Sequence, residues 1–168
     1  ETRVETLHLA PLPQDEAALL AAQALGARDA AEPLAALLHR EAAGHPLFTA
    51  ALALALAQRG VIRVEAGYAH LRLGEQGLAA LSIPSDAAGA VAERIAALTP
   101  EQQLTVKTAA VLGRSFDEAA LAELHPAAGR EDVAADLRAV EATGLVQRGT
   151  ADSWRFHHAI VADAAYDS

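Results

Sequence analysis

Apolar residues in the first half of the chain recur at helical spacing, and glycine or proline interrupts each run. Asp15 is predicted to cap the first helix, because its side chain can accept a hydrogen bond from a free backbone N–H. Proline suits the first turn of a helix, and glycine suits its end. The pattern therefore predicts three short helices, at residues 16–25, 33–44 and 46–60. The third is so apolar over residues 48–57 that we expect it to be buried.

Two segments of this half alternate apolar and polar residues with the period of a β-strand. Residues 4–12 alternate imperfectly before Pro13 and predict a short strand that leaves into a turn. Residues 61–73 alternate on both sides of Ala66 and Gly67, and they predict a β-hairpin. Residues 83–86, which read Ile-Pro-Ser-Asp, then mark a domain boundary.

The second half of the chain predicts a winged-helix domain from the order of its elements. Thr99 and Asp117 are predicted helix caps, and Val133, Leu137 and Val140 form the buried stripe of one helix. The predicted elements are helices at 87–98, 100–112, 118–124 and 130–143, wing strands at 145–149 and 153–157, and a closing helix at 159–166. The predicted fold class is mainly α: a helical domain with a β-hairpin, then a winged helix with three helices, a two-stranded wing and a closing helix.

Composition excludes several classes of protein. The chain has no cysteine, which excludes disulfides, thiolate metal sites and thiol nucleophiles. Its hydrophobic content of 52% is ample for a core, and no apolar stretch approaches the roughly 20 residues that span a bilayer. We therefore expect no membrane association and a cytoplasmic location. The formal net charge of -9 repels polyanions, so direct DNA binding would need a locally basic face.

Five stretches in order resemble the C-terminal half of the ATPase module of STAND signal-transduction NTPases, AAA-related switches found in bacterial LuxR-type and adenylate or guanylate cyclase-linked regulators. They read LAPLPQDEA at 9–17, EAAGHPLF at 41–48, ALTPEQQLTVKTAAVLGRSFD at 97–117, ATGLVQRG at 142–149 and FHHAIVADAAY at 156–166. The resemblance implies that residues 1–14 end the nucleotide-binding core, 15–83 form a helical lid and 84–168 form the winged helix. It places the phosphate loop and the acidic magnesium strand upstream of Glu1, since neither motif occurs here.

The resemblance also implies residues that contact nucleotide. Gly44, His45 and Pro46 match a turn whose proline and backbone lie against the base, with His45 in place of the common asparagine. His158 matches a histidine that senses phosphate, with Ala159 where an aspartate often stands. The implied nucleotide-binding residues are therefore Gly44, His45, Pro46 and His158.

These residues also have structural interpretations. Gly44 and Pro46 end one helix and start the next without any ligand. His157 and His158 suit a wing strand with one side chain packed and one exposed, because adjacent strand residues point to opposite faces. That spacing does not predict a metal site, and no nucleophile motif predicts a catalytic residue. Alternatively His158 starts the last helix, where free backbone N–H groups favour an anion.

Direct DNA binding is not expected. The would-be recognition helix at 130–143 carries Glu131, Asp132, Asp136 and Glu141 against only Arg130 and Arg138. A helix that reads a DNA groove needs a basic or amide-rich face. The wing adds Arg148 and Arg155 but also Asp152.

The leading hypothesis is a regulatory lid and winged helix that close over ATP or ADP, with Mg²⁺, on a P-loop core. The chain alone is then not an enzyme, although the longer protein would be an ATPase. Its partners would be the upstream P-loop domain and a downstream domain such as helical repeats, with nucleotide-dependent oligomerisation of the whole. Two alternatives stay open: a winged-helix DNA-binding transcription regulator, and a helical interaction scaffold without nucleotide.

Overall fold

The computed structural model of the 168-residue chain describes residues 8–74, 77, 81–127, 129–150 and 153–168, with the main chain alone at Arg130. The fold is mainly helical, with eight helices and two three-stranded sheets in the described ranges. It divides into two compact units, which meet in sequence between Asp86 and Ala87.

The first unit packs three helices beside a small sheet. Its elements are α1 (Gln14–Ala24), β1 (Asp29–Ala30), α2 (Glu32–Ala42), α3 (Pro46–Gln58), β2 (Ile62–Glu65) and β3 (Tyr68–Leu71). The three helices pack pairwise against one another, while β3 contacts α2 and β2 contacts α3. The core is built from fully buried leucines of α2 and α3, namely Leu34, Leu38, Leu52 and Leu56. The predicted burial of the apolar third helix is confirmed.

Alanine lets α1 approach the other two helices closely. Ala17, Ala21 and Ala22 all have exposed fractions of 0%. With Ala18, which is 6% exposed, they form the three- and four-residue spacings of one helix face. Because these side chains are small, the backbone of α1 can lie close to α2 and α3. The larger leucines of α2 and α3 fill the space between the helices.

The predicted hairpin is confirmed, and a short third strand joins it. Ala66 (φ 51°) and Gly67 (φ 85°) form the two-residue turn between β2 and β3. Left-handed backbone at both positions matches the twist of a tight hairpin. β1 pairs with β3 in parallel, and the sheet order is β1-β3-β2. Two residues are too few for alternation to show, so the sequence pattern missed β1.

Two predictions for the start of this unit are wrong. Of the strand predicted at 4–12, residues 4–7 lie outside the described ranges, and residues 8–12 are not in a strand. Asp15 does not cap α1: Pro13 is the N-cap, and its carbonyl accepts the first helical hydrogen bond from the Ala17 N–H at 2.9 Å. Asp15 instead lies in the first turn, where its negative charge interacts favourably with the positive end of the helix dipole.

The second unit has the winged-helix order of elements. These are α4 (Ala87–Ala96), α5 (Pro100–Leu112), β4 (Ser115–Asp117), α6 (Glu118–Leu124), α7 (Arg130–Ala142), β5 (Val146–Arg148), β6 (Ser153–Phe156) and α8 (Ala159–Tyr166). α5 packs against α7, α6 against α7, and α4 and α5 against α8. The predicted caps are confirmed, since the Thr99 side chain accepts from the Gln102 N–H and Asp117 accepts from Ala119 and Ala120.

The wing contains three strands, where two were predicted. β4 pairs antiparallel with β6, which also pairs with β5, giving the order β4-β6-β5. Phe116 of β4 is buried, and its ring lies 5.6 Å from that of Phe156. The three-residue strand is too short to show a period in sequence.

The core of this unit contains the predicted stripe. Val133, Leu137 and Val140 have exposed fractions of 0%. Trp154, the single tryptophan of the chain, is 1% exposed. Its Nε1–H donates to a carboxylate oxygen of Glu118 at 2.9 Å, so the buried indole N–H has a partner.

Candidate functional site

The turn between α2 and α3 carries three of the predicted nucleotide-binding residues. Ala43 (φ 48°) and Gly44 (φ 72°) both adopt left-handed backbone and end α2. The His45 N–H donates to the Ala42 carbonyl at 2.8 Å, and Pro46 is the first residue of α3. Proline needs no N–H there, and its fixed φ suits a helix start. Gly44, His45 and Pro46 therefore form one tight corner, with His45 and Pro46 exposed.

Gly44 has a structural reason to be glycine. The Leu12 N–H donates to the Gly44 carbonyl at 2.9 Å. A Cβ on Gly44 would lie 2.9 Å from the Leu12 nitrogen, 3.0 Å from the Pro11 Cβ, and too close to the Leu12 carbonyl oxygen. The neighbouring chain thus leaves no room for a side chain, in addition to the positive φ that favours glycine.

His45 acts as the N-cap of α3. Its Nδ1 accepts a hydrogen bond from the Phe48 N–H at 3.4 Å, and its carbonyl accepts from the Thr49 hydroxyl at 3.0 Å. Since Nδ1 accepts, Nε2 carries the proton in the neutral ring. An asparagine here would cap the helix in the same way. The histidine therefore caps α3 as an asparagine at this position would.

His158 is the N-cap residue of α8, in extended backbone with φ -138° and ψ 154°. Its carbonyl accepts from the Val161 N–H at 3.0 Å, but its side chain makes no capping hydrogen bond. The ring is exposed, and the first turn of α8 carries no acidic side chain. The free N–H groups of that turn and the exposed imidazole are thus both available to an anion.

The expectation of one packed and one exposed histidine is wrong. Strand β6 ends at Phe156, so the alternation of a strand does not extend to His157 and His158. Both rings are exposed, and their centroids lie 4.6 Å apart. The His157 N–H donates to the Leu145 carbonyl at 3.0 Å, which fixes the backbone just before α8. In the described ranges, no group of three or more His, Cys, Asp or Glu side chains is placed to hold a metal ion.

The pKa of His158 lies below its usual value of 6.5. Partial burial is the largest cause, followed by the positive charges of His157 and Arg94. Each of these disfavours the protonated ring. A bound anion would act in the opposite direction and raise this pKa, so ligand charge and ring protonation are coupled at His158.

Arg94 is a buried cation that the sequence analysis missed. It is 4% exposed, and desolvation lowers its pKa to about 10. Its Nη2–H donates to the Thr143 carbonyl at 2.6 Å, while Nε is buried without a hydrogen-bond partner. The signal was present in the sequence, since Arg94 falls at helical spacing within the apolar stripe of α4, beside Val91 and Ile95.

Thr105, His125 and Asp136 form a second cluster that sequence reasoning missed. The Thr105 hydroxyl donates to the Asp136 carboxylate at 2.9 Å and lies 3.1 Å from Nε2 of His125. Nδ1 of His125 accepts from the Ala127 N–H at 3.4 Å, so Nε2 carries the ring proton and donates to the threonine. Thr105 is fully buried and its own proton is directed to Asp136. The cluster therefore connects α5, the end of α6 and α7, and it is not arranged to generate a nucleophile.

The exposed face of α7 is acidic. Glu131 and Asp132 are exposed there, with Arg138 as the one described basic side chain of the helix. The Glu141 carboxylate accepts a hydrogen bond from the backbone N–H of Arg148 at 3.1 Å. The guanidinium of Arg148 lies over the Trp154 ring, 4.8 Å from its centroid. This charge pattern opposes an approach to DNA phosphates.

The structure brings Gly44, His45 and Pro46 together in the first unit and places His158 in the second. Within the described residues, no helix combines the length and the apolar character needed to cross a membrane. Among known families, one described as a domain of unknown function, DUF8739, matches residues 13–70, which run from the start of α1 into β3. No curated protein and no solved structure matches the chain.

Proposed function

We propose that this chain is the lid and winged-helix portion of a STAND-type, ATP- or ADP-dependent signalling switch. One observation carries the proposal: His158 stands at the N-cap of α8 with an exposed ring that makes no capping hydrogen bond. A histidine at a helix N-terminus is placed to donate to a phosphate oxygen, next to backbone N–H groups that favour the same charge.

The first unit supports the proposal through the corner at Gly44. Pro46 is exposed at the start of α3, and the backbone before it is held by hydrogen bonds from Leu12 and to Ala42. A rigid corner with an exposed proline ring offers a flat apolar contact to a nucleotide base. His45, with Nδ1 occupied by its capping bond, has its Nε2–H left to donate.

The residues present fit the nucleotide better than its metal. The N-terminus of α8 has the free ring and the absence of acidic side chains that a phosphate needs. Mg²⁺ prefers several carboxylate and other oxygen ligands, and the described ranges contain no cluster of three or more His, Cys, Asp or Glu side chains that could hold a metal ion. The proposal therefore assigns phosphate and base contacts to this chain, and assigns the metal and hydrolysis to the P-loop core.

In this proposal the bound nucleotide links the P-loop core to the winged helix. His158 would bind the phosphate when the winged helix lies over the core and lose it when the winged helix moves away. A ligand shifts such an equilibrium only by its differential affinity for the two arrangements. The contact of His158 with the phosphate, which forms in only one of the two arrangements, supplies that difference in affinity. The proposal assigns no catalytic residue to this chain.

The test is ADP affinity in the longer protein that contains the P-loop core. We expect His158→Ala to weaken ADP binding about tenfold, the effect of losing one charge-assisted hydrogen bond. Pro46→Ala should weaken it by a smaller factor through lost base contact. His157→Ala is the matched control, because it removes the neighbouring exposed ring, and it should bind ADP as the unchanged protein does. Unchanged ADP affinity in both His158→Ala and Pro46→Ala would exclude this function for the two residues.

A further inference from the structure

An open groove lies between α5 and the end of α6, which pack against each other. Its volume is about 370 Å³. The described residues that line it are Lys107, Thr108, Val111, Leu124 and Pro126. Val111 and Leu124 are 68% and 55% exposed, and the Thr108 hydroxyl donates to the carbonyl of Leu104 in its own helix. The groove therefore presents mainly apolar surface, which favours contact with an apolar side chain over contact with water.

Lys107 gives this groove a positive charge. It is the only lysine of the chain, and no other charged side chain lines the groove among the described residues. Its ammonium forms neither a hydrogen bond nor an ion pair within the described part of the chain. An unpaired cation beside apolar surface favours a partner that carries a carboxylate close to an apolar side chain.

The outer face of α1 has this complementary pattern. Its exposed residues Asp15, Glu16, Leu19 and Gln23 share one face, opposite the buried alanines. Leu19 is 50% exposed. The carboxylates of Asp15 and Glu16 have no hydrogen bond or ion pair to any described residue. The chain thus carries both an apolar groove with a free cation and an apolar helix face with free carboxylates.

The two surfaces also match in spacing. Asp15 and Leu19 are four residues apart on α1, and Lys107 and Val111 are four residues apart on α5. At a rise of 1.5 Å per residue, each pair spans about 6 Å along its helix. Two parallel helices can therefore place Asp15 beside Lys107. The same arrangement places Leu19 between Val111 and Leu124.

We propose that this groove binds α1 of a second copy of the chain. Leu19 of one copy fills the groove of the other, and the Asp15 carboxylate pairs with Lys107 at its rim. A single helix face on one groove is a small interface, so the contact is transient, with a Kd on the order of 0.1 mM. It needs neither nucleotide nor a P-loop core, and it does not depend on the proposed function.

The test is the average mass of the 168-residue chain by sedimentation equilibrium, without nucleotide. Because the contact joins two different surfaces, it can close into a dimer or extend further, and the mass rises in both cases. We expect this rise between about 10 µM and about 1 mM protein. High salt should weaken the association, since the ion pair lies at the rim. A mass that stays at the monomer value over this range overturns the proposal.

Charge variants identify the two surfaces. Lys107→Glu and Asp15→Lys should each weaken association roughly tenfold, because each brings like charges together. Arg138→Glu and Glu131→Lys change the net charge equally, but neither residue lines the groove or belongs to α1, so both should associate as the unchanged chain does. Trp154 fluorescence reports whether each variant is folded. If a variant does not fold, the concentration and salt dependence of the unchanged chain decides.

A mixture of the two weakened variants gives the sharpest comparison. The Lys107→Glu copy keeps an unchanged α1, and the Asp15→Lys copy keeps an unchanged groove. The equimolar mixture therefore restores the native contact between unlike copies and should associate more strongly than either variant alone. If both variants associate as the unchanged chain does, or if the mixture is no stronger than its components, the copies meet through other surfaces and the proposal fails.

Discussion

Thr105 and His125 contact each other in the interior of the winged helix, with 3.1 Å between the hydroxyl and Nε2. The same hydroxyl donates to Asp136, so one side chain joins three elements of the unit. A threonine is well suited to this position because its oxygen accepts from the histidine and donates to the carboxylate at once.

Thr105→Val should therefore destabilise the protein. Valine has a similar shape but leaves the His125 N–H and the Asp136 carboxylate without this partner, which typically costs about 1–3 kcal/mol. Urea unfolding followed by Trp154 fluorescence measures the change. Thr108→Val on the same helix is the control, because among the described residues the Thr108 hydroxyl bonds to the Leu104 carbonyl of its own helix alone. Equal losses in the two variants would contradict the special contribution of Thr105.

Gly44→Ala should be far more disruptive than Gly26→Ala. Both glycines have similar positive φ, 72° and 68°, but a Cβ at Gly26 meets no atom within 4 Å, whereas at Gly44 it would clash with Leu12. The left-handed backbone alone costs about 1–2 kcal/mol in each variant. The additional loss at Gly44 measures the close approach of Leu12. Circular dichroism during urea unfolding gives both values, and a Gly44→Ala loss no larger than that of Gly26→Ala would show that Leu12 moves away freely.

Glu118→Ala should leave the Trp154 indole N–H without its acceptor. We expect a loss of roughly 1–2 kcal/mol in the free energy of unfolding, because Trp154 is buried. Glu123→Ala, an exposed glutamate of the same helix, should change the free energy by less than about 0.5 kcal/mol. Tryptophan fluorescence during urea unfolding compares the pair. A Glu118→Gln variant, which keeps an acceptor oxygen, should recover part of the loss.

The stability of the protein should decrease as the pH falls below about 6.5. The pKa of His158 is lower in the folded state than its usual value of 6.5, so the unfolded chain takes up a proton first. The stabilisation that comes from the neutral His158 ring is thus complete above pH 6.5, and it is lost as the pH falls from 6.5 through the lower pKa of the folded state. His158→Gln should flatten this part of the pH profile, and His157→Gln should flatten it less, since it removes only one of the causes. Identical profiles in all three proteins would contradict this assignment.

Much of the fold follows from local sequence signals. Thr99, Asp117 and the prolines at helix starts act through neighbours a few residues away, so these two caps and most helix bounds were predictable, although the cap at Asp15 was not. The hairpin at Ala66 and Gly67 was predictable for the same reason. β1 and β4 were not, because strands of two or three residues exist only through their pairing with β3 and β6.

The candidate sites were predictable only in part. His158 as the start of α8 follows from the residues after it, but the exposure of both His157 and His158 depends on where β6 ends. The contact of Gly44 with Leu12 joins residues that are distant in sequence, and Arg94 reaches Thr143 across the unit. Contacts between residues distant in sequence do not appear in a local pattern, so the contact of Gly44 with Leu12 and the hydrogen bond of Arg94 to Thr143 required the structure, although the buried position of Arg94 did not.

The parallel pairing of β1 with β3 constrains how the first unit can form during synthesis. Arg28 and Ala31, on either side of β1, donate backbone hydrogen bonds to Gly67 and Ala69 at 2.7 and 2.8 Å. All of α2 and α3 lies between these partners, as in any parallel connection. A nascent chain that has released only α1 and α2 from the ribosome therefore has β1 without its neighbour. The sheet can close only after Leu71 has emerged, which makes the hairpin the last element to complete this unit.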